Sequence, residues 1–348
     1  MAGRQGRDAA NHRAAGVSAV GRRWRGNAAM RRLLMMLALC LTLGFAARGA
    51  HAEACTATAT PVSFGNVSPI AGTTFTTTST ISVTCTWSAI TLTPDVLVCL
   101  NLGGTSPRAL TNGTNSMNYD LYRDAGHTQI WGSIYSNGTP ISLTMSKPSG
   151  TSLSTTVTVY GQIASAQPTV PTVNNASTVY TQSFGGNTTS INYGFYTLIA
   201  PTCATLTATQ GTFAFSSTAT VINNCNISAT NVAFGSAGVL SSALRANGSI
   251  TAQCTNGDAF KIALNSGSSG NVAARTMARS GGGGSVSYQL YLDSGYSSAW
   301  GDGTGSTATA AGTGSGTQQV FTVYGRVPSQ TTPAPGSYSD TITATIYF

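Results

Sequence analysis

The segment CTATATPVSFG occupies residues 55–65, and CNISATNVAFG occupies residues 225–235. Each begins with a cysteine, ends in Phe-Gly, and is followed by a Thr/Ser/Val-rich stretch that ends in Cys-Thr, at Cys85 and Cys254. The spacings between the paired cysteines are 30 and 29 residues. Such self-similarity indicates two copies of one structural unit.

Later landmarks recur in the same order. NYDLYRD at residues 118–124 matches SYQLYLD at residues 287–293, and each is followed by Trp-Gly and then by Thr-Val-Tyr-Gly. The 348-residue chain is therefore predicted to contain a leader, a first domain, a linker and a second domain. The predicted bounds are 1–52, 53–200, 201–224 and 225–348.

The repeated units have the pattern of strands. Segments such as TVTVY at residues 156–160 and TITATIY at residues 341–347 alternate or are β-branched, and Gly/Ser-rich gaps separate them. No stretch after residue 52 has convincing helical periodicity. The sequence predicts an all-β fold of two tandem antiparallel sandwiches with about seven strands each.

The distribution of charge along the chain indicates an export signal and argues against a nucleic-acid partner. The net charge is +8, but residues 1–52 hold nine arginines and one acid, so the remainder is neutral and offers no patch for nucleic acid. Arg31 and Arg32 precede an apolar run over 33–47, and Ala-His-Ala at 50–52 resembles a cleavage site. We expect cleavage before Glu53 and export through the periplasm. Met30 is an alternative start.

Six cysteines remain after the leader, an even number that indicates disulfides in an oxidising compartment. The first and second cysteine of each copy are expected to tie its opening strand to a neighbour, which pairs Cys55 with Cys85 and Cys225 with Cys254. Cys99 and Cys203 have no counterparts in the repeat. They pair with each other by elimination, or Cys203 pairs with Cys225.

The landmarks together resemble the spore coat protein U domain, the fold of Csu-type archaic chaperone–usher pilus subunits. The second copy carries the whole pattern and the first copy a weaker version. The residues of the second copy that carry the resemblance are Cys225, Phe234, Gly235, Cys254, Tyr288, Leu290, Tyr291, Trp300, Gly301, Tyr324, Gly325, Arg326, Val327, Pro328, Tyr338 and Asp340.

The resemblance implies immunoglobulin-like sandwiches that lack one strand, completed by a strand from another chain. The implied partners are a periplasmic chaperone, an outer-membrane usher and other pilus subunits, and the implied location is a pilus on the cell surface. Only Glu53 and Ala54 precede Cys55 in the expected mature chain, so an N-terminal donor strand has no room.

The linker alternates like a donor strand over residues 211–221, with Phe213, Phe215 and Val221 as candidate inserting residues. We hypothesise that it completes the first domain in cis, and that the second domain, expected to lack a strand, accepts the next subunit. A chain that accepts without donating is a tip subunit that serves attachment and biofilm formation. The alternative is a non-polymerising outer-surface or spore-coat-like structural protein of the same fold.

An insertion in the first copy supplies candidate adhesive residues. Trp87, Ile90 and Leu92 follow Cys85 and have no counterparts in the short loop after Cys254. Exposed apolar loops would bind an abiotic or host surface. The alternative is that the three side chains pack into the core or a domain interface. Trp131, shared with the second copy, is expected to be structural.

The sequence gives no indication of an enzyme. His127 is the only histidine after the leader, and Asp124 and Asp293 are expected to form turns. No catalytic residue, cofactor-binding motif or metal cluster is predicted.

Overall fold

Alternation of buried and exposed side chains produces an all-β fold in the computed structural model, which describes residues 53–348. The predicted signal peptide lies outside the described residues. Within 53–348, no helix is long and apolar enough to cross a membrane. The prediction of tandem β-sandwiches is confirmed: each half of the described chain has a large sheet, a three-stranded sheet and a separate apolar core. The halves contain eleven and nine strands, more than the seven expected of each, and one pair of strands is parallel.

The first sandwich combines an eight-stranded sheet, in the order β1-β3-β8-β6-β5-β9-β11-β2, with a sheet in the order β10-β4-β7. Its strands are β1 (Ala54–Ala59), β2 (Val62–Val67), β3 (Phe75–Thr86), β4 (Asp95–Leu102), β5 (Arg108–Asn112), β6 (Asn115–Tyr122), β7 (Ile141–Ser146), β8 (Ser152–Ile163), β9 (Thr178–Phe184), β10 (Thr189–Tyr196) and β11 (Phe215–Val221).

The second sandwich combines a six-stranded sheet, in the order β12-β13-β18-β16-β15-β19, with a sheet in the order β17-β14-β20. Its strands are β12 (Cys225–Ala229), β13 (Leu244–Cys254), β14 (Ala259–Leu264), β15 (Arg275–Arg279), β16 (Ser285–Tyr291), β17 (Ala310–Thr313), β18 (Gln318–Val327), β19 (Tyr338–Ser339) and β20 (Ala344–Tyr347). Four short 3₁₀ turns cover Ile134–Ser136, Gly186–Thr188, Cys203–Thr205 and Gly267–Ser269.

The two large sheets share their first six positions, in the same spatial order. Strands β1, β3, β8, β6, β5 and β9 correspond to β12, β13, β18, β16, β15 and β19. The first sheet then continues through β11 to β2, whereas the second sheet ends at β19. The second sheet therefore lacks a strand in the place of β11, and the residues aligned with β2 are present but form no strand.

Disulfides fix both opening strands. Cys55 lies opposite Cys85 in the β1–β3 pair, and Cys225 lies opposite Cys254 in the β12–β13 pair, and each facing pair is bonded. The third bond joins Cys99 of β4 to Cys203, which lies 104 residues further along the chain.

The shared Trp-Gly positions are structural. Trp131 and Trp300 are fully buried, and their indole N–H groups donate to the carbonyls of Leu100 and Ile262, both at 2.8 Å. Because a buried indole N–H needs an acceptor, these bonds join the loops that follow β6 and β16 to the small sheets.

Candidate strand groove and exposed apolar loops

Strand β11 lies in the predicted linker and forms part of the first sandwich. It pairs in parallel with β2 and antiparallel with β9, so it fills the space between these two strands. Its burial alternates at every residue, as expected for a strand with one face on a core. The side chains that point inward are those of Phe215, Ser217, Ala219 and Val221.

Aromatic contacts hold the start of this strand. The rings of Phe213 and Phe215 stack on Trp131 with centroid distances of 6.2 and 5.8 Å, and Phe215 stacks on Phe184 at 4.7 Å. The Thr189 hydroxyl donates to the carbonyl of Phe213. The candidate inserting residues Phe213, Phe215 and Val221 are therefore all in the core of the first sandwich.

The second sandwich has an open groove where the first has β11. The counterpart of β2 begins at Val232, and residues 231–239 form no strand and no backbone hydrogen bond with any residue that the structure describes. Val232 and Phe234 are half-buried, whereas their counterparts Val62 and Phe64 are buried. A further strand could pair with this unpaired backbone and cover the exposed apolar side chains beside it.

Two adjoining cavities of about 430 and 640 Å³ mark this groove. They share Val232, Ala233, Phe234, Met277 and Tyr338, so they are continuous along residues 231–239. Most of the residues that line the first cavity are apolar, and the polar exceptions include Tyr288 and Asp340.

The buried charges differ between the two sandwiches. In the first, Arg108 forms an ion pair with Asp120 at 2.8 Å and donates to the carbonyl of Trp131. In the second, the corresponding Arg275 donates to the neutral side chain of Gln289 and to the carbonyl of Trp300. Burial lowers the pKa of Arg275. Within residues 53–348, no ion pair balances that guanidinium.

In the second sandwich an acid, Asp340, lies at the groove, where the first sandwich has a neutral glutamine. The Tyr288 hydroxyl donates to Asp340 at 2.7 Å, and the corresponding Tyr119 hydroxyl donates to the neutral Gln182 at 2.7 Å. Burial raises the pKa of Tyr288, and its bond to the Asp340 carboxylate raises it further. Sequence reasoning missed this exchange, although it is visible once residues 178–184 are aligned with residues 336–342.

Two loops at one end of the first sandwich expose large apolar side chains. Ile90 and Leu92 are 93% and 86% exposed, and Leu198 and Ile199 are 92% and 87% exposed. The Thr197 hydroxyl donates to the carbonyl of Leu92, so the two loops are neighbours. We call these four residues the apolar end. Leu198 and Ile199 were missed, although an apolar pair directly after β10 and before Pro201 was a usable signal.

The prediction that Trp87 is an exposed adhesive residue is wrong. Trp87 is 1% exposed and packs edge-on against Phe195, with ring centroids 5.9 Å apart. Its backbone N–H donates to the carbonyl of Thr151, which holds it at the end of the β3–β8 pair. The insertion thus divides into a buried tryptophan, for which the core alternative was right, and an exposed loop.

The residues considered for catalysis have structural contacts. Asp293 accepts from the backbone N–H groups of Ser297 and Ser298, bonds that hold its pKa below the usual value. Asp124 accepts from the equivalent loop, and His127 packs edge-on against Tyr122. Among residues 53–348, no group of three His, Cys, Asp or Glu side chains is arranged to hold a metal.

Comparison with known proteins gives a family match and several fold matches. A family model described as Spore Coat Protein U domain matches residues 41–182 and 209–345. No curated protein matches the chain. The chain is similar to a chain of the CsuC–CsuE chaperone–tip adhesion subunit pre-assembly complex from archaic chaperone-usher Csu pili of Acinetobacter baumannii. That match has 18% identity and a TM-score of 0.50, and covers 85% of this chain and 100% of that chain.

Two weaker matches have TM-scores of 0.36 and 0.29. One is the CupB6 tip adhesin from Pseudomonas aeruginosa, with 7% identity over 85% of this chain and 95% of that chain. The other is CfaE, the adhesive subunit of CFA/I fimbria of enterotoxigenic Escherichia coli, with 9% identity over 82% of this chain and 92% of that chain.

Proposed function

The chain belongs to the Spore Coat Protein U domain family, and from this premise we propose that it is an exported subunit at the tip of a chaperone–usher pilus. It serves attachment and biofilm formation and has no enzymatic activity. Its partners are a periplasmic chaperone, an outer-membrane usher, the next pilus subunit, and an abiotic or host surface.

The observation that carries this proposal is the contrast between the two large sheets. The first has β11 between β2 and β9, whereas the second has a groove beside residues 231–239 at the corresponding place. A strand from another chain would pair with both edges and bury the apolar lining, as β11 does in the first sandwich. The second sandwich is thus the one that accepts.

The terminal position follows from the use of β11. A subunit within a shaft must both accept a strand and donate one, but β11 is already paired on both sides and buried in its own sandwich. The Cys99–Cys203 bond anchors the chain shortly before β11 to the small sheet. In this proposal β11 stays in place and the chain ends the polymer.

Attachment is assigned to the apolar end. Four almost fully exposed branched side chains on two adjoining loops give an apolar contact surface with no charged residue among them. Such a surface suits weakly hydrated or apolar targets, where removing water from apolar area drives binding.

Immunogold electron microscopy of cells that produce an epitope-tagged chain tests the proposal. We expect gold at the distal ends of filaments. Gold along whole shafts would contradict the tip assignment. Gold on the cell body without filaments would contradict the pilus assignment and favour a coat protein.

A further inference from the structure

We propose that the strand accepted by the second sandwich carries a short hydroxyl side chain, serine or threonine, at the position that faces Asp340 and Tyr288. The inward positions on either side of it are apolar. This inference rests on the proposed strand acceptance and specifies the chemistry of the accepted strand.

The first sandwich provides a filled copy of the same groove. In the β11–β9 pair, Ser217 lies opposite Gln182, and the next inward residues are Phe215 and Ala219. Ser217 is fully buried. Its hydroxyl oxygen has no hydrogen-bond partner among the described residues, so this position places a polar group inside an otherwise apolar strand face. The middle of the inserted strand is therefore polar, and its flanks are apolar.

Strand register assigns Asp340 to the position of Gln182. Thr111 of β5 pairs with Thr181, and the corresponding Ala278 of β15 pairs with Ser339. Gln182 and Asp340 are the next residues in each case. The inserted residue that faces Gln182 in the first sandwich would therefore face Asp340 in the second.

Asp340 retains acceptor capacity at this place. Its Oδ1 atom accepts from the backbone N–H groups of Ser268 and Thr341, both at 2.9 Å. Its Oδ2 atom accepts from the Tyr288 hydroxyl. A carboxylate oxygen can accept a second hydrogen bond, and a short hydroxyl on the inserted strand can donate it.

Other side chains fit less well. An apolar side chain would remove water from the carboxylate without replacing its hydrogen bond. A carboxylate would add a like charge in a site that the strand closes to water. A lysine would have to fit a long side chain into the groove and remove water from its ammonium group when the strand closes the site. A short neutral donor avoids all three costs.

The test uses synthetic decapeptides based on residues 212–221, TFAFSSTATV. The chain without its signal peptide is refolded with each peptide, and affinities are compared by competition. The peptide carries either the natural serine or the changes Ser217→Thr, Ser217→Val, Ser217→Glu or Ser217→Lys. Amide exchange locates the bound peptide: protection must appear at residues 231–239, since residues 62–67 already pair with β11.

We expect the serine and threonine peptides to bind similarly and the valine peptide to bind about tenfold more weakly. The glutamate peptide should be about a hundredfold weaker, and that penalty should shrink in the Asp340→Asn variant, whose folding is checked by its thermal midpoint. Equal binding of the serine and valine peptides, or preference for lysine, would overturn the inference while leaving strand acceptance intact. Failure of every peptide to protect residues 231–239 would overturn strand acceptance and this inference with it.

Discussion

Gln182 and Asp340 occupy the same position in the two sandwiches, and each accepts a hydrogen bond at 2.7 Å from the hydroxyl of the corresponding tyrosine. Around Gln182 the groove is filled by β11, and around Asp340 it is open. One repeated unit is thus present in two states, complete and incomplete.

Shortening a buried side chain of β11 should destabilise the first sandwich. Phe215 is buried between Phe184 and Trp131, so Phe215→Ala leaves a cavity and should cost about 3–5 kcal/mol of unfolding free energy. Thr218→Ala changes an outward residue of the same strand and should cost less than about 0.5 kcal/mol. Chemical denaturation measures both. Equal effects of the two changes would show that β11 does not support this core.

Removal of the Cys99–Cys203 bond should also weaken the first sandwich. The double variant Cys99→Ala/Cys203→Ala opens a loop of 104 residues and should cost about 2–5 kcal/mol. Amide exchange should increase in β11 relative to β13 of the second sandwich. Unchanged exchange in β11 would mean that this disulfide does not help to hold the strand.

Loss of the apolar end should reduce attachment without loss of stability. Changing Ile90, Leu92, Leu198 and Ile199 to serine removes exposed side chains, so the thermal midpoint should stay within a few degrees. If burial of each side chain against the surface contributes about 1 kcal/mol, the four together contribute about 4 kcal/mol, and the affinity for an apolar surface should fall about a thousandfold. Val320→Ser is the matched control, because Val320 is an exposed apolar residue of the second sandwich.

Attachment by the apolar end should depend weakly on salt, because the four side chains carry no charge. Attachment of the natural chain is measured between about 0.05 and 0.5 M NaCl, a range over which the Debye length shortens several-fold. A steep decrease would assign attachment to charged residues and contradict the proposal.

Two aspartates should give opposite pH effects on stability. Burial raises the pKa of Asp258, whose Oδ1 accepts from Thr172 and Asn223 while Oδ2 has no partner. The folded state therefore favours the protonated carboxyl, and stability falls as pH rises past the usual aspartate pKa. Asp258→Asn should stabilise the chain at pH 7 and have little effect at acidic pH.

For Asp293 the sign is reversed. Backbone hydrogen bonds from Ser298 and Ser297 lower the pKa of Asp293, so its contribution is present above the usual aspartate pKa and is lost as pH falls through the folded value. Asp293→Asn should destabilise the chain at pH 7 more than at acidic pH. Thermal midpoints of both variants between about pH 3 and 7 measure the two trends. Parallel trends for the two variants would contradict these assignments.

A strand supplied in cis should close the open groove. Residues 212–221 are appended after Phe348 through a flexible Gly/Ser linker, and the thermal midpoint of the second sandwich should rise because the strand pairs and buries the apolar lining. The same chain should no longer enter pili. The control carries the appended strand with both phenylalanines changed to serine and should behave like the natural chain.

The fold was predictable because the signal is repeated. The cysteine pairs, the Trp-Gly positions and the alternating strands recur in both copies, so each copy supports the assignment made for the other. The position of β11 was also accessible, since Phe213, Phe215 and Val221 alternate in a segment that has no counterpart in the second copy.

The site was predicted less completely, for a physical reason. Whether an apolar residue in a loop is exposed depends on packing partners elsewhere in the chain. Trp87 is buried because Phe195 of β10 lies beside it, and Ile90 is exposed because no residue between 53 and 348 covers the loop that follows. Leu198 and Ile199 belong to the apolar end because their loop lies beside the loop of Leu92, which is distant in sequence.

Hydrogen exchange of residues 231–239 tests the central claim most directly, in the isolated chain and in the chain assembled in pili. We expect fast exchange in the isolated chain, where these residues form no strand, and strong protection after assembly. Residues 62–67 should be protected in both states because β2 is already paired with β11. Fast exchange of residues 231–239 in assembled pili would contradict the claim that the second sandwich is completed by a strand from another chain.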